Sequence, residues 1–473
     1  MASKPENVRW TAALAATALA ALAWWFGSGV QPQWWLTWLA PLPVLWLAPR
    51  IGARWAALCA FAAYLLGGLN VWTYLHTAVG LPVLPIVCFI ALAGVMLALC
   101  VLLFRRLLLR GHALAAALSV PMAWVACEYV NNLLSPHATF FNIGYTQAVA
   151  LPIIQIAAVT GIWGIGFLVL LFPSAVAVQL WPQTPRRDRL VVASVAALAV
   201  IATAAYGGWR LHEPASSTVR IGLASLQGPM RAEDSAEGKA FQQRYAAAMG
   251  RLADAGAKIV LIPETSFLTA DPGIPAFVQL ATQRDLTIGA GIDFKGDPQA
   301  ERNMLSVIQP SAASPATYVK HHLLLGLEQS TPGDSYTMLH GSPRIGLAIC
   351  KDMDFHDTAR AYALRRAQLL LVPASDFTVD GWLHSRMAIM RGVEGGFAIA
   401  RAARNGRLTL SDDRGRVVAE ASSENRDAEL VGDLPLRATS TPYGRWGDWF
   451  VYLVLAGLVV CLALVFLPRR VER

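Results

Sequence analysis

Charge is scarce in this chain. Asp, Glu, Lys and Arg make up 15% of its 473 residues, against about 25% in soluble domains, while hydrophobic residues reach 55%. Such a composition excludes a wholly soluble protein and implies membrane spans. Cysteine is nearly missing where it could cross-link. Five of the six, Cys59, Cys88, Cys100, Cys127 and Cys461, fall in or beside apolar runs, where a thiol usually behaves as a small buried hydrophobe. Only Cys350 lies in the polar stretch, which excludes an intrachain disulfide there. That stretch also lacks a basic excess. The formal net charge is +8, yet residues 211–446 hold 25 Lys/Arg against 26 Asp/Glu and the remainder 14 against 5. The surplus belongs to the apolar part and its loops, which marks topology and excludes a nucleic-acid partner.

A span needs roughly 20 apolar residues. Candidates lie at 10–27, 33–48, 53–75, 81–104, 113–131, 153–181, 190–209 and 448–467, giving a bundle of about eight transmembrane helices. The second is short and carries Pro41 and Pro43. Lys and Arg fall at the N-terminus (Lys4, Arg9) and in the second (Arg50, Arg54), fourth (Arg105, Arg106, Arg110) and sixth (Arg186, Arg187, Arg189) loops. They recur at the C-terminus (Arg469, Arg470, Arg473), and the first, third and fifth loops have none. By the positive-inside rule both termini are cytoplasmic and residues 211–446 are not. Arg210 is the one exception. The chain therefore divides into helices over 1–210, an extracytoplasmic domain over 211–446, and a last helix with its tail over 447–473. Glu128 lies within an apolar segment, where a charge costs about 2.5–3.5 kcal/mol on insertion scales, so a functional or paired role is expected.

The polar domain alternates strands and helices, the pattern of an α/β or α+β fold with a large sheet. Three residues end apolar strands: Glu264 after KIVLIP, Lys320 after ATYV, and Cys350 after RIGLAI. Strand ends are where α/β sheets present chemistry. Glu264 would take the thiol proton, Lys320 would favour thiolate and hold an oxyanion, and Cys350 would attack a carbonyl to form a thioester. Singly, each has a plainer reading as a loop charge or an inert core thiol. His321 and His322 adjoin Lys320, but no ligand set at matching spacing follows, so neither metal nor cofactor is expected.

The strings IPETSF around Glu264, YVKHHLL around Lys320 and GLAICKD around Cys350 resemble, in order and spacing, the nitrilase superfamily. With the helices before and after them, the chain resembles the apolipoprotein N-acyltransferase family over nearly its full length. AWVACEYV, FFNIGYTQ, RGVEGGFAIARAARNG and TPYGRWGD extend the likeness. The resemblance implies an αββα sandwich for the polar domain and a Glu264–Lys320–Cys350 triad. It implies a bacterial cytoplasmic (inner) membrane protein with its catalytic domain on the periplasmic side. Cys350 would take an acyl chain from a phospholipid, typically phosphatidylethanolamine, and pass it to the α-amine of a diacylglyceryl-cysteine lipoprotein. Glu328 and Asp352 match supporting acidic positions. Lys351 stands where the family usually has an aromatic residue, and its ammonium would lower the thiol pKa. The usual SNDAWF-like string is ASDFTVD here. A membrane-tethered nitrilase-type amidase with another acyl acceptor is the alternative, and a non-enzymatic scaffold with a retired site the third reading.

Overall fold

A computed structural model describes residues 10–296 and 300–466, so the expected basic residues Lys4, Arg9, Arg469, Arg470 and Arg473 lie outside the described residues. The chain forms two compact units. One comprises the residues up to Ser135, Thr139–Leu211 and the segment from Asp448; the other comprises Pro136–Ala138 and His212–Gly447.

In the first unit, seven helices among the described residues are long and apolar enough to cross a membrane: Trp10–Gly27, Ala53–Val71, Val83–Leu109, Ala113–Leu134, Ile162–Gln179, Arg186–Leu211 and Trp449–Phe466. The expected span at 33–48 is no continuous helix. It is built of Trp34–Thr37, Leu42–Leu47 and the 3-10 turn Ala48–Arg50. Pro41 and Pro43 lack the N–H that would have carried the hydrogen-bond ladder through. The broken segment still runs the length of the unit. At its start Thr37 Oγ1 donates to Gly27 O at 2.8 Å. At its end the Arg50 guanidinium donates to Leu180 O at 2.7 Å, and Arg105 donates to Ala48 O at 2.9 Å. Trp10 meets Trp55 at that same end, ring to ring at 4.7 Å. The arginines at 50, 54, 105, 106, 110, 186, 187 and 189 therefore gather at one end of the helices. Arg210, the exception to the charge pattern, is buried at the other end, where it donates to Gln155 Oε1 at 2.8 Å. Asp448, accepting from Trp163 Nε1 at 2.9 Å, marks that far end too, so the chain leaves and re-enters the helices there. Glu128 is paired: it accepts from Asn142 Nδ2 and Ile143 N, each at 2.8 Å, and so tethers the 3-10 turn Ile143–Gln147.

Among its described residues the second unit holds twelve strands: β1 Ser217–Ser225, β2 Arg231–Ala232, β3 Ile259–Thr269, β4 Thr287–Phe294, β5 Arg302–Ile308, β6 Ala316–Val319, β7 Ile345–Leu347, β8 Leu369–Ser375, β9 Ala398–Arg404, β10 Arg407–Ser411, β11 Val417–Ser422 and β12 Ala428–Leu436. One sheet runs β12-β1-β3-β4-β5-β6 with β2 beside β3; the other runs β11-β10-β9-β8-β7. Strand periodicity decides the layers. Ile259 and Leu261 of β3 join Leu369 and Leu371 of β8 in a core between the sheets. Their neighbours Val260 and Ile262 face outward onto helices Ala236–Asp254 and Pro275–Arg284. Leu370 and Val372 likewise face helices His356–Leu364 and Gly381–Gly395. Both faces of the central strands are covered, which is why they read as unbroken apolar runs rather than alternating ones. The architecture is an αββα sandwich, as the resemblance implied.

Candidate active site

Glu264 sits in a defect of β3. The β3–β4 register jumps from Ile262↔Ala290 to Phe267↔Ile292, so four residues bulge opposite the single residue Gly291. Pro263 supplies no ladder N–H, Thr265 takes φ +46°, and Ser266 Oγ closes the bulge onto Pro263 O at 2.8 Å. Arg404 braces it by donating to Thr265 Oγ1 at 3.2 Å. The bulge turns the Glu264 side chain into a buried position, as bulges beside active sites commonly do. Gly291 makes room: a Cβ there would lie 2.4 Å from Pro263 O and 2.5 Å from Glu264 Cα. Gly291→Ala is therefore expected to displace Glu264 and cut acylation of Cys350 about 10-fold or more, since small misplacements are costly in oriented sites. A wild-type rate in a single-turnover labelling assay would remove this role.

Lys320 follows β6, and its N–H donates to Asn303 O at 2.9 Å. Its side chain is fully buried, and Nζ donates to Glu264 Oε1 at 2.7 Å and to Glu328 Oε1 at 2.6 Å. Burial works against the ammonium, but Glu264, the Cys350 thiol and Glu328 outweigh it and hold the Lys320 pKa above its ordinary value. Burial likewise raises the Glu328 carboxyl, against the pull of Lys320. An ammonium has three donors, so two committed to carboxylates leave one for a substrate.

Cys350 opens the 3-10 turn Cys350–Asp354 just after β7. Its φ is +44°, a left-handed conformation that costs a non-glycine residue about 1–2 kcal/mol. Strain of this kind concentrates at functional sites. The thiol is half-buried and donates to Ser375 O at 3.8 Å. Burial, then Glu264 and Asp376, push its pKa well above the ordinary range, against Lys320 and Arg401. Burial thus opposes the thiolate that Lys320 and Arg401 favour.

Asp352 is buried and accepts from Ile349 N at 3.0 Å and Tyr318 OH at 2.9 Å on one oxygen, and from His322 N at 2.9 Å and His322 Nδ1 at 3.0 Å on the other. Burial raises its pKa, but the His322 and Ile349 hydrogen bonds win and hold it below the usual carboxylate range. This side chain ties the loop after Lys320 to the turn that carries Cys350. The Lys351 ammonium goes elsewhere: it is buried against His137 Nδ1 at 3.0 Å and Asp354 Oδ2 at 3.5 Å. It is not among the groups that lower the thiol pKa. His322 stacks on Phe355, ring centres 3.6 Å apart, and His321 Nε2 meets Ser335 O at 3.1 Å.

Three contributors carried no signal of their own in the sequence. Asn303 Nδ2 donates to Glu264 Oε1 at 2.6 Å. Arg401 and Asp376 form a buried bidentate pair at 2.9 and 2.5 Å, and both charges reach the thiol. Asp376 and Arg401 sit in the quoted strings ASDFTVD and RGVEGGFAIARAARNG, but only the pairing of β8 with β9 brings them together.

Residues 16–175 match the model of the apolipoprotein N-acyltransferase N-terminal domain, and residues 222–441 match that of carbon-nitrogen hydrolases. Along the whole chain, the apolipoprotein N-acyltransferase of Geobacter metallireducens is 27% identical, covering 94% of this chain and 93% of that one. The apolipoprotein N-acyltransferase of Methylococcus capsulatus is 26% identical over 72% and 73%. Among solved structures, an amidase from Nesterenkonia sp. is 23% identical, covering 46% of this chain and 91% of its own, with a TM-score of 0.40. The two matched segments follow one another along one polypeptide, and the Geobacter likeness runs through both, so the chain belongs to the apolipoprotein N-acyltransferase family.

Proposed function

We propose that this membrane enzyme transfers a fatty acyl chain from a phospholipid to the amino terminus of a diacylglyceryl-cysteine lipoprotein, through a thioester on Cys350. One observation carries the reading: a strained, half-buried thiol shares its surroundings with a buried Glu264–Lys320–Glu328 ion cluster. In the first step Glu264 takes the Sγ proton, and sulfur adds to the ester carbonyl. The spare Lys320 N–H and the backbone N–H after Cys350 hold the oxyanion. The C–O bond breaks, and the departing glycerol oxygen takes the proton from Glu264. In the second step the lipoprotein's free amine attacks the thioester, the C–S bond breaks, and the thiol regains a proton. Leu325 and Leu327, exposed on the loop that ends at Glu328, suit an apolar substrate beside the site. On the positive-inside rule the arginine-rich end of the helices faces the cytosol, and this supports a reading in which residues 212–447 work on the outer face of a bacterial inner membrane. Both substrates are anchored in that leaflet, and reaction there avoids drawing a chain into water at about 0.8 kcal/mol per CH₂.

In spheroplasts given labelled phospholipid, a hydroxylamine-labile adduct is expected on the Cys350 peptide and absent in Cys350→Ala. A membrane-impermeant diacylated lipopeptide added outside should discharge it as N-acyl lipopeptide. Discharge only to free fatty acid would favour the amidase reading, and discharge only by lipopeptide delivered inside would reverse the orientation.

A further inference from the structure

We infer that Asn303 is a positioning residue for the base: it locks the Glu264 carboxylate so that one oxygen, Oε2, is the one that takes the thiol proton. This rests on Glu264 being that base. Asn303 lies on β5, opposite Asp293 of β4. Its Nδ2 donates to Glu264 Oε1 at 2.6 Å, the same oxygen that Lys320 Nζ reaches at 2.7 Å. Its backbone carbonyl accepts from the Lys320 N–H at 2.9 Å. One residue thus fixes the side chain of the base and the backbone of the lysine.

The amide's own orientation is informative. Asn303 is buried, and its Oδ1 has no hydrogen-bond partner among the described residues. Leaving a buried acceptor unsatisfied is unfavourable. The amide nonetheless faces this way, because turning it over would aim Oδ1 at the carboxylate. The N–H on Glu264 is therefore what the side chain is there to provide. Both donors fall on Oε1, so the two carboxylate oxygens become inequivalent: Oε1 holds charge and Oε2 accepts. The proton passes from Cys350 Sγ to Oε2 as the S–C bond forms, and then to the departing glycerol oxygen.

The test is the pH dependence of thioester formation on Cys350, measured with full-length protein in phospholipid vesicles and labelled phospholipid. Asn303→Leu removes the donor at similar volume. Its acidic limb is expected to move up by about one pH unit, with about a 10-fold lower rate below the limb and a smaller loss on the plateau, where the carboxylate is no longer held. Asn303→Asp keeps the shape but sets a second acid beside Glu264, and its limb should move further. A merely structural role would lower the rate equally at every pH. Limbs that coincide with wild type in the variants that fold would overturn the assignment, and Asn303→Asp decides if the leucine variant does not fold. Glu264→Gln, run in parallel, should give no adduct at any pH. An adduct there would sink the base itself, whereas an inactive Glu264→Gln with unmoved limbs would sink only Asn303.

Discussion

Lys320→Ala is expected to lower the rate of Cys350 acylation by about 10³-fold or more and to destabilise the catalytic unit by about 3–5 kcal/mol. Two physical losses combine. The ammonium is fully buried and is the cation shared by Glu264 and Glu328. Removing one partner of a buried ion cluster costs about 3–5 kcal/mol, because the remaining charges stay in a poorly solvated place. Glu264 and Glu328 are then left as two buried carboxylates without their shared cation, and Glu264 loses the partner that holds Oε1. Loss of an oxyanion donor adds about 10²–10³ in rate on its own. The double variant Lys320→Ala/Glu328→Gln separates the two effects. It should regain part of the stability, measured by denaturant titration of the solubilised protein, and none of the labelling. Recovery of labelling in the double variant would show that Lys320 serves only to neutralise charge.

The second large effect concerns Arg401 and Asp376. Either Arg401→Met or Asp376→Asn should destabilise the catalytic unit, the arginine change by about 3–5 kcal/mol, since it strands a buried carboxylate. The two should nonetheless move the thiol in opposite directions. Asp376 raises the Cys350 pKa and Arg401 lowers it. Arg401→Met is thus expected to shift the alkaline rise of Cys350 alkylation to higher pH, and Asp376→Asn to lower pH. The double variant Arg401→Met/Asp376→Leu should recover most of the stability, because a buried pair exchanged for packed apolar groups is often neutral. Alkylation profiles that shift the same way in both single variants would show that the pair acts through backbone displacement rather than charge.

The contrast between what the residues announced and what the fold added follows from locality. Glu264, Lys320 and Cys350 each end an apolar strand, and a strand end can be read from a dozen consecutive residues. The mix of strands and helices was legible for the same reason, while the layering into an αββα sandwich came only from the family resemblance. The spans were legible from length, 33–48 included, although two prolines there split the crossing into short helical pieces. Asn303, Asp376 and Arg401 were not legible because each owes its role to a strand partner far away in the chain. An Asn opening a strand or an Arg within one has no local mark of what lies across the sheet. Lys351 misled for a related reason. Its place beside Cys350 suggested an influence on the thiol, but adjacent residues at a tight turn point apart, and its ammonium went to Asp354 and His137.

The broken segment at 34–50 also governs sidedness. A tally of uninterrupted helices reaches Leu211 after six passes and would return the polypeptide to the face on which Trp10 starts. The path actually taken has seven, because Gly27 and Leu180 anchor the two ends of the kinked piece at opposite extremes. A hydropathy plot that misses this short zigzag would count an even number of passes before Leu211 where the chain makes an odd one, and would invert every sidedness drawn from it.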